Sequence, residues 1–147
     1  MKLKLFLALL LIGFSVNIFA QIRKIPAEVT DALSQRYPHA QKVSWRDKIS
    51  SFEAEFNLNG FDMTANFSSK GDWEKSEKKI KFSDLPNDVI DGFAKSKYTD
   101  WEKTSVTEID ENAEPLSYRI LIKKSGVQKK YLYFDTKGRL KREALTL

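Results

Sequence analysis

From Ser51 to Leu58 the chain alternates strictly. Phe52, Ala54, Phe56 and Leu58 fall on one side, and Ser51, Glu53, Glu55 and Asn57 on the other. A period of two with one apolar side predicts a strand that packs on a core through one face and is wet on the other. Asn59-Gly60 follows, a dipeptide suited to a two-residue hairpin. The chain then returns with Phe61, Met63, Ala65 and Phe67 apolar against Asp62, Thr64 and Asn66. Ser68–Gly71 predicts a second turn, Trp73 opens a lysine-rich strand, and a further strand is expected around Gln41–Arg46. The charges after Trp73 predict an edge strand guarded against pairing with other chains. Upstream the period changes. Val29, Ala32, Leu33 and Tyr37 stand at i, i+3, i+4 and i+8, one stripe of a helix, and Val89, Ile90, Phe93 and Ala94 form another. Pro26 and Pro86 suit a first helical turn, where a missing N–H costs nothing, and Pro38 stops the first helix.

These elements occur twice. FSSKGDWEKSE from Phe67 is answered by FDTKGRLKREA from Phe134, with Phe, Lys and Gly in the same places, Leu140 for Trp73 and Arg142 for Lys75. IPAEVTDAL from Ile25 matches LPNDVIDGF from Leu85. YPHAQKVSW from Tyr37 aligns with YTDWEKTSV from Tyr98, and Asn59-Gly60 with Ser125-Gly126. Repeats of this kind read as copies of one supersecondary unit that cannot bury its apolar face alone. The expected fold is α+β: a tandem duplication of a helix plus antiparallel-strand unit, α-β-β-β-β twice. It forms one antiparallel sheet with two helices on one face and the other face open. The units are expected at residues 21–80 and 81–147.

The pattern Φ-P-x-x-V at a helix start, Y-P-x-A after it, paired strands and then F-x-x-K-G-x-Φ resembles the PepSY-like family of secreted bacterial proteins. That family's fold is similar to that of beta-lactamase inhibitory protein. The carriers are Ile25-Pro26, Val29, Tyr37-Pro38-His39-Ala40 and Phe67–Trp73, then Leu85-Pro86, Val89 and Phe134–Leu140. The resemblance spans essentially the whole chain after residue 20 and implies two tandem helix-plus-sheet units with no catalytic motif. It also implies a partner, since related domains bind or restrain peptidases outside the membrane. The second copy lacks the proline after Tyr98, which leaves the end of its helix open.

The N-terminus reads separately. MKLKLFLALLLIGFSVNIFAQ has two lysines, an apolar run from Leu5 to Phe14 and a small residue at Ala20. It predicts a signal peptide over residues 1–20, cleavage near Ala20 and a periplasmic or secreted protein. The alternative, a membrane anchor, needs about 20 apolar residues. Without Lys2 and Lys4 there are 23 basic and 20 acidic residues, a net charge of +3, too mild to imply nucleic acid. The chain has no Cys, so stability rests on packing, and thiol chemistry is excluded.

Little here points to catalysis. His39, the single histidine, follows a helix in a turn and reads as a solvated residue. There is no G-x-S-x-G elbow, and Asp110-Glu111-Asn112-Ala113-Glu114 lacks the glycine and spacing of a calcium loop. The expectation is no enzyme, no metal and no cofactor.

Two features point to recognition. From Asp84 to Glu114 there are nine acidic and three basic residues, and from Arg119 to Arg142 nine basic residues against Asp135 alone. Either these stretches lie together and neutralise, or a basic hairpin faces an anionic partner. The repeat alignment also turns Tyr118, Ile120, Ile122, Leu132 and Phe134 inward. Tyr131, Tyr133, Arg119 and Leu121 then face outward. Such a group has the composition of an interface hot spot; the plainer reading is cross-strand support between exposed tyrosines. Trp73 is expected in the core, because Leu140 replaces it, and Trp101 over the apolar side chains beneath its helix end. The expected role is a non-catalytic extracytoplasmic protein that binds or inhibits an envelope protein, such as a peptidase, through the open sheet face. The alternative is a binder of a small molecule or envelope glycan, at that face or in the groove between the copies.

Overall fold

The computed structural model describes residues 24–146; the expected signal peptide lies outside them. The elements run α1 (Ala27–Arg36), β1 (Gln41–Asp47), β2 (Ser51–Leu58), β3 (Phe61–Ser68) and β4 (Trp73–Ile80). A 3-10 turn (Phe82–Asp84) leads to α2 (Asn87–Ala94), β5 (Glu102–Glu111), β6 (Ser117–Lys123), β7 (Lys129–Asp135) and β8 (Leu140–Leu145). The strands form a single eight-stranded sheet in the order β1 to β8, and all neighbours are antiparallel.

Each helix begins just after its proline, which stands at the N-cap rather than within the first turn as expected. Pro26 and Pro86 are extended, with φ −61° and −54°, and cap the helices from outside. Their carbonyls accept the first helical N–H bonds, from Val29 and Thr30 at 3.2 and 3.3 Å and from Val89 and Ile90 at 2.9 and 3.1 Å. Proline suits this place because its φ is fixed and the N–H it lacks has no helical acceptor there. Asn59 and Gly60 both have positive φ, 53° and 86°, as a type I′ hairpin requires.

The helices lie over two separate cores on the same side of the sheet. α1 buries Val29 and Leu33 with Phe52, Ala54, Phe56, Ala65 and Phe67. α2 buries Val89 and Phe93 with Tyr118, Ile120, Ile122, Leu132 and Phe134. Phe52, Phe67, Ile120, Leu132 and Phe134 are among the fully buried side chains, each contributing about 1.5–3 kcal/mol. Ala94 departs from the expected stripe. It is exposed, because α2 ends there.

The repeated Lys-Gly turn locks each helix onto its strands. Gly71 and Gly138 have φ of 87° and 74°, a conformation that costs other residues about 1–2 kcal/mol. Each turn also passes tightly beneath the first turn of its helix. A Cβ on Gly71 would stand 2.5 Å from the Glu28 carbonyl oxygen, and one on Gly138 would collide with the carbonyl of Asp88. Glu28 and Asp88 occupy matching positions of the two copies, so the motif recurs because the approach recurs. The β-bulges recur as well. Register shifts fall between Gln41 and Ser44 and between Lys103 and Ser105, then at Asn66/Phe67 and at Tyr133/Phe134.

The helix ends are tied down by tyrosines, with different chemistry in each copy. The Tyr37 hydroxyl and Ser76 Oγ are 2.6 Å apart, and Trp73 Nε1 donates to the same oxygen at 2.7 Å. In the second copy the Tyr98 hydroxyl donates to Glu143, and Lys130 donates to Tyr98 at 3.0 Å. Trp73 is therefore at the rim and not in the core: it is partly buried, under the Arg36 guanidinium at 3.6 Å, and its counterpart Leu140 is exposed. Trp101 meets Tyr98 edge to face at 5.2 Å and packs against the second core, as expected.

The lysine-rich β4 is not an edge. It lies inside the sheet between β3 and β5, and the edges are β1 and β8. The charges that signalled an edge are instead matched across the seam. Lys75 stands opposite Glu111 and Lys78 opposite Glu108, with Lys78 Nζ 3.7 Å from the Glu108 carboxylate. On the open face Arg119 of β6 reaches over β5 to grip Glu77 of β4 with two bonds, at 3.3 and 2.6 Å. Thr107 and Ile109, beneath this bridge, are buried although they point to the helix-free side. Burial pushes the Glu77 carboxyl up, but hydrogen bonds from Arg119 and Lys75 outweigh it and hold it below its ordinary value of 4.5.

Two predictions follow from this packing. Gly138→Ala adds a steric clash to the cost of positive φ, so it should destabilise by about 3 kcal/mol in urea unfolding. Gly60→Ala, with the same sign of φ and open space around it, should cost only about 1 kcal/mol; equal losses would show that the helix contact carries no weight. The second prediction concerns acid. A carboxyl with a depressed folded pKa stabilises fully above its unfolded value and loses that contribution as pH falls through the folded one. Glu77→Gln should therefore lower the melting temperature at neutral pH, and its gap to the wild type should close as pH falls below 4.5. No gap at neutral pH would mean that the bridge contributes nothing, and a gap that stays constant into acid would mean that the loss does not come from the ionised carboxylate.

Candidate functional site

On β6, β7 and β8 the alternation divides the side chains cleanly. Tyr118, Ile120, Ile122, Leu132 and Phe134 are buried under α2, while Arg119, Leu121, Tyr131 and Tyr133 lie half-buried on the open face. Register brings these four together: Arg119 pairs with Tyr133 and Leu121 with Tyr131. The two tyrosine rings are 6.4 Å apart and tilted by 58°. The Arg119 guanidinium is 5.1 Å from the centre of the Tyr131 ring.

A fifth residue completes the group. Arg142 of β8 pairs with Tyr133 and stacks over its ring at 3.9 Å. Sequence reasoning counted Arg142 only as part of a basic stretch. The signal was present, since the repeat aligns it with Lys75, whose register partner Asn66 had been read as outward. What was missing was the pairing of β7 with β8 in register, which a sheet edge rich in charge does not reveal.

The platform is held firmly. Arg119 is fixed by Glu77; burial is the largest single influence and disfavours its charge, but the hydrogen bonds and charges of Glu77 and Tyr133 together outweigh it, so it remains a cation. Together, Tyr133, Arg119 and Arg142 alternate ring and guanidinium, an arrangement in which each cation sits near an aromatic face.

The first copy is different on the same face. Thr64 and Asn66 stand where the second copy has Tyr131 and Tyr133, and Glu53 and Glu55 where it has Arg119 and Leu121. Those glutamates are engaged locally: Arg46 meets Glu55 at 2.6 Å and Glu53 at 3.8 Å, and Lys48 meets Glu53 at 3.3 Å. Between the halves the open face sinks into a concavity of about 520 Å³, lined by Arg46, Glu55, Thr64, Glu77, Lys79 and Arg119 among others. Another, of about 770 Å³, opens beside Tyr133 and Arg142 at the end of β7.

The opposite side holds a smaller cleft between the copies, of about 350 Å³, lined by Arg36, Tyr37, Ser76, Lys78, Glu108 and Asp110. Ion pairs span it, with Arg36 reaching Asp110 at 3.3 Å. A small-molecule pocket is mostly apolar with a few placed polar groups, which this cleft is not. His39 is exposed in the turn after α1, and Asp110–Glu114 ends β5 and forms an exposed turn. Among the described residues no three His, Asp or Glu side chains gather as a metal site would require. No helix among them is long and apolar enough to cross a membrane.

The charge-segregated stretches do lie side by side, since β5 pairs with β6, but they neutralise each other only slightly. Among the described residues, Lys123 and Glu102, at 3.9 Å, form an ion pair that joins them. Glu108 is answered by Lys78 from the other side, and Arg119 by Glu77 of the first copy.

Comparison with known proteins agrees with this architecture. The family described as "Putative beta-lactamase-inhibitor-like, PepSY-like" matches residues 50–142. A search of curated proteins found no match. Among solved structures, a BLIP-like protein from Bacteroides fragilis is similar, with a TM-score of 0.81 at 24% identity, covering 86% of this chain and 90% of that one. A protein from Bacteroides eggerthii described among "putative periplasmic proteins" gives a TM-score of 0.79 at 25% identity, covering 84% and 90%. A DUF2874 family protein from Bacteroides uniformis gives 0.78 at 25%, covering 82% and 88%. With two helices on one side of an eight-stranded antiparallel sheet, and a family match over well more than half its length, this chain belongs to the PepSY-like, beta-lactamase-inhibitor-like family.

Proposed function

We propose that this chain is a non-catalytic extracytoplasmic protein that binds, and in binding inhibits, an envelope protein such as a peptidase, through its open sheet face. The observation that carries this reading is the asymmetry of that face. Thr64 and Asn66 satisfy the scaffold in the first copy, so the fold does not require Tyr131 and Tyr133 in the second. Tyrosine and arginine on a supported, half-buried surface are the residues that most often dominate protein–protein binding energy. Arg119 and Leu121 complete the patch, Arg119 being held by Glu77.

Two further points support it. The family carries an inhibitor-like description, and inhibition by occlusion needs a shaped surface rather than a reactive group. The signal-like residues 1–20 and the periplasmic description of the Bacteroides eggerthii neighbour agree on a periplasmic or secreted location. In this reading residues 21–80 and 81–147 are the two PepSY-like units, and only the second carries the contact surface.

The test is a pulldown from envelope extract with the purified mature protein beside its Tyr131→Ala/Tyr133→Ala variant. Truncating a hot-spot aromatic costs about 2 kcal/mol or more, so the wild type should retain an envelope protein that the variant loses. Equal capture by both would rule out the face. Failure of either to capture anything, joined to a rise in melting temperature with a small molecule or an envelope glycan fragment, would replace this reading with the alternative of a small-ligand binder.

A further inference from the structure

The open face carries cations in one line that starts on β4, the last strand of the first copy, and crosses the second copy. Register partners run Lys79, Thr107, Arg119, Tyr133 and Arg142 across β4, β5, β6, β7 and β8. Strands stand about 4.8 Å apart, so the three cations recur at roughly 10 Å intervals along a row perpendicular to the strands. Thr107 is buried beneath the Arg119–Glu77 bridge, and Tyr133 forms the platform between the two arginines.

The charge of this row is not balanced within the protein. Arg119 has Glu77. Among the described residues, Lys79 and Arg142 are exposed and meet no carboxylate within ion-pair distance, Arg142 resting on the Tyr133 ring instead. Lys129, at the start of β7 on the same face as Tyr131, is exposed and likewise meets no carboxylate among the described residues. The carboxylates of the adjoining concavity are already engaged. Glu55 meets Arg46, Glu77 meets Arg119 and Lys75, and Asp62 accepts from Asn57. At the far end, Glu111 and Glu114 line the same concavity as Arg142, together with Lys137 and Lys141. The unmet charge on the row itself is therefore positive.

Resting on the reading of the open face as a protein-binding surface, we propose that the partner presents an extended acidic segment that lies across the strands along the row Lys79–Arg119–Tyr133–Arg142. Its carboxylates meet Lys79 and Arg142, and its apolar or aromatic side chains settle on Tyr131 and Tyr133. Lys79 and Arg142 stand four strand spacings apart, roughly 19 Å, and an extended chain advances about 3.3 Å per residue, so acidic residues about six apart match the two free cations. Arg119, already gripped by Glu77, keeps the tyrosine platform in place rather than supplying free charge. An acidic polysaccharide or an anionic bilayer would satisfy the same cations. The Tyr–Arg composition favours protein, because these are the residues enriched at the centre of protein–protein contacts.

The experiment is fluorescence anisotropy of labelled poly-L-glutamate with the purified protein, its Lys79→Gln/Arg142→Gln variant and a Lys24→Gln/Lys70→Gln control that removes the same charge off the row. The polymer should bind the wild type at low salt. The row variant should bind on the order of tenfold more weakly, and the control should match the wild type. Raising NaCl from about 0.05 to 0.5 M shortens the screening length about threefold and should weaken binding. The same probe with the single Lys79→Gln change, and melting curves for every variant, exclude misfolding as the cause. Three results would each overturn the proposal: no binding of poly-L-glutamate at low salt, an equal loss in the control, or tighter binding of polygalacturonate or phosphatidylglycerol vesicles than of poly-L-glutamate. The two levels of inference fail separately. An envelope partner lost by Tyr131→Ala/Tyr133→Ala but fully retained by Lys79→Gln/Arg142→Gln would sink only the acidic segment. A partner retained by both would sink the face itself.

Discussion

Six register partners, from Lys75 opposite Glu111 to Ile80 opposite Val106, hold the two α-β4 halves in one sheet. Neither helix lies over this seam. Val29 and Leu33 cover one core, Val89 and Phe93 the other, and the strip between them is polar. The join depends on the backbone ladder, on Ile80 and Val106 at the margin of the second core, on Arg36 with Asp110 and Lys78 with Glu108, and on the Arg119–Glu77 bridge that shields Thr107 and Ile109. Exposed ion pairs contribute little, while a partly buried, two-bond arginine–carboxylate pair contributes more. Without this seam β4 and β5 would be two extra edges and the concavity on the open face would not exist. The platform of Tyr131 and Tyr133 would also lose the anchor that its Arg119 takes from the first copy.

Inside each half a different constraint operates. The Lys-Gly turn must pass under the first turn of its helix, and only glycine allows the approach at Gly71 and Gly138. Phe67 and Phe134, at the head of that motif, are fully buried, so one short stretch sets the turn, the bulge and the centre of the core together. Three demands on one stretch leave little room for change. This is why the stretch remains recognisable in both copies while the strand residues around it have diverged.

Most of the architecture was legible for the same reason. Alternation in Ser51–Leu58, the prolines at 26 and 86 and the Asn59-Gly60 turn are local signals, and each formed the element it predicted. Where the sequence misled, the cause was a partner far along the chain. The lysines of β4 have the composition of a guarded edge, and only the carboxylates of β5 make them an interior seam. Trp73 was expected to be buried like core because Leu140 replaces it, yet both sit at the rim, where the polar ends of Arg36 and Ser76 suit an indole better than they would suit leucine. For the candidate site, alternation and the repeat were enough to turn Tyr131, Tyr133, Arg119 and Leu121 outward. They were not enough to find Arg142, whose role appears only when β8 is set in register against Tyr133.

Duplication makes the protein its own control. The two copies share the helix start, the glycine approach, the bulges and the tyrosine at the helix end, so whatever the fold requires is present in both. On the open face they part. The first copy neutralises its glutamates with Arg46 and Lys48, whereas the second sets the exposed Arg142 beside two neighbouring, mutually tilted tyrosines. Folding alone explains the first arrangement, because it leaves no charge unmet among those side chains. It does not explain the second, in which Tyr131 and Tyr133 remain half-exposed and Arg142 meets no carboxylate among the described residues. A surface that departs from its own duplicate, at positions where the duplicate shows a cheaper solution, is the physical ground on which the proposed binding role rests.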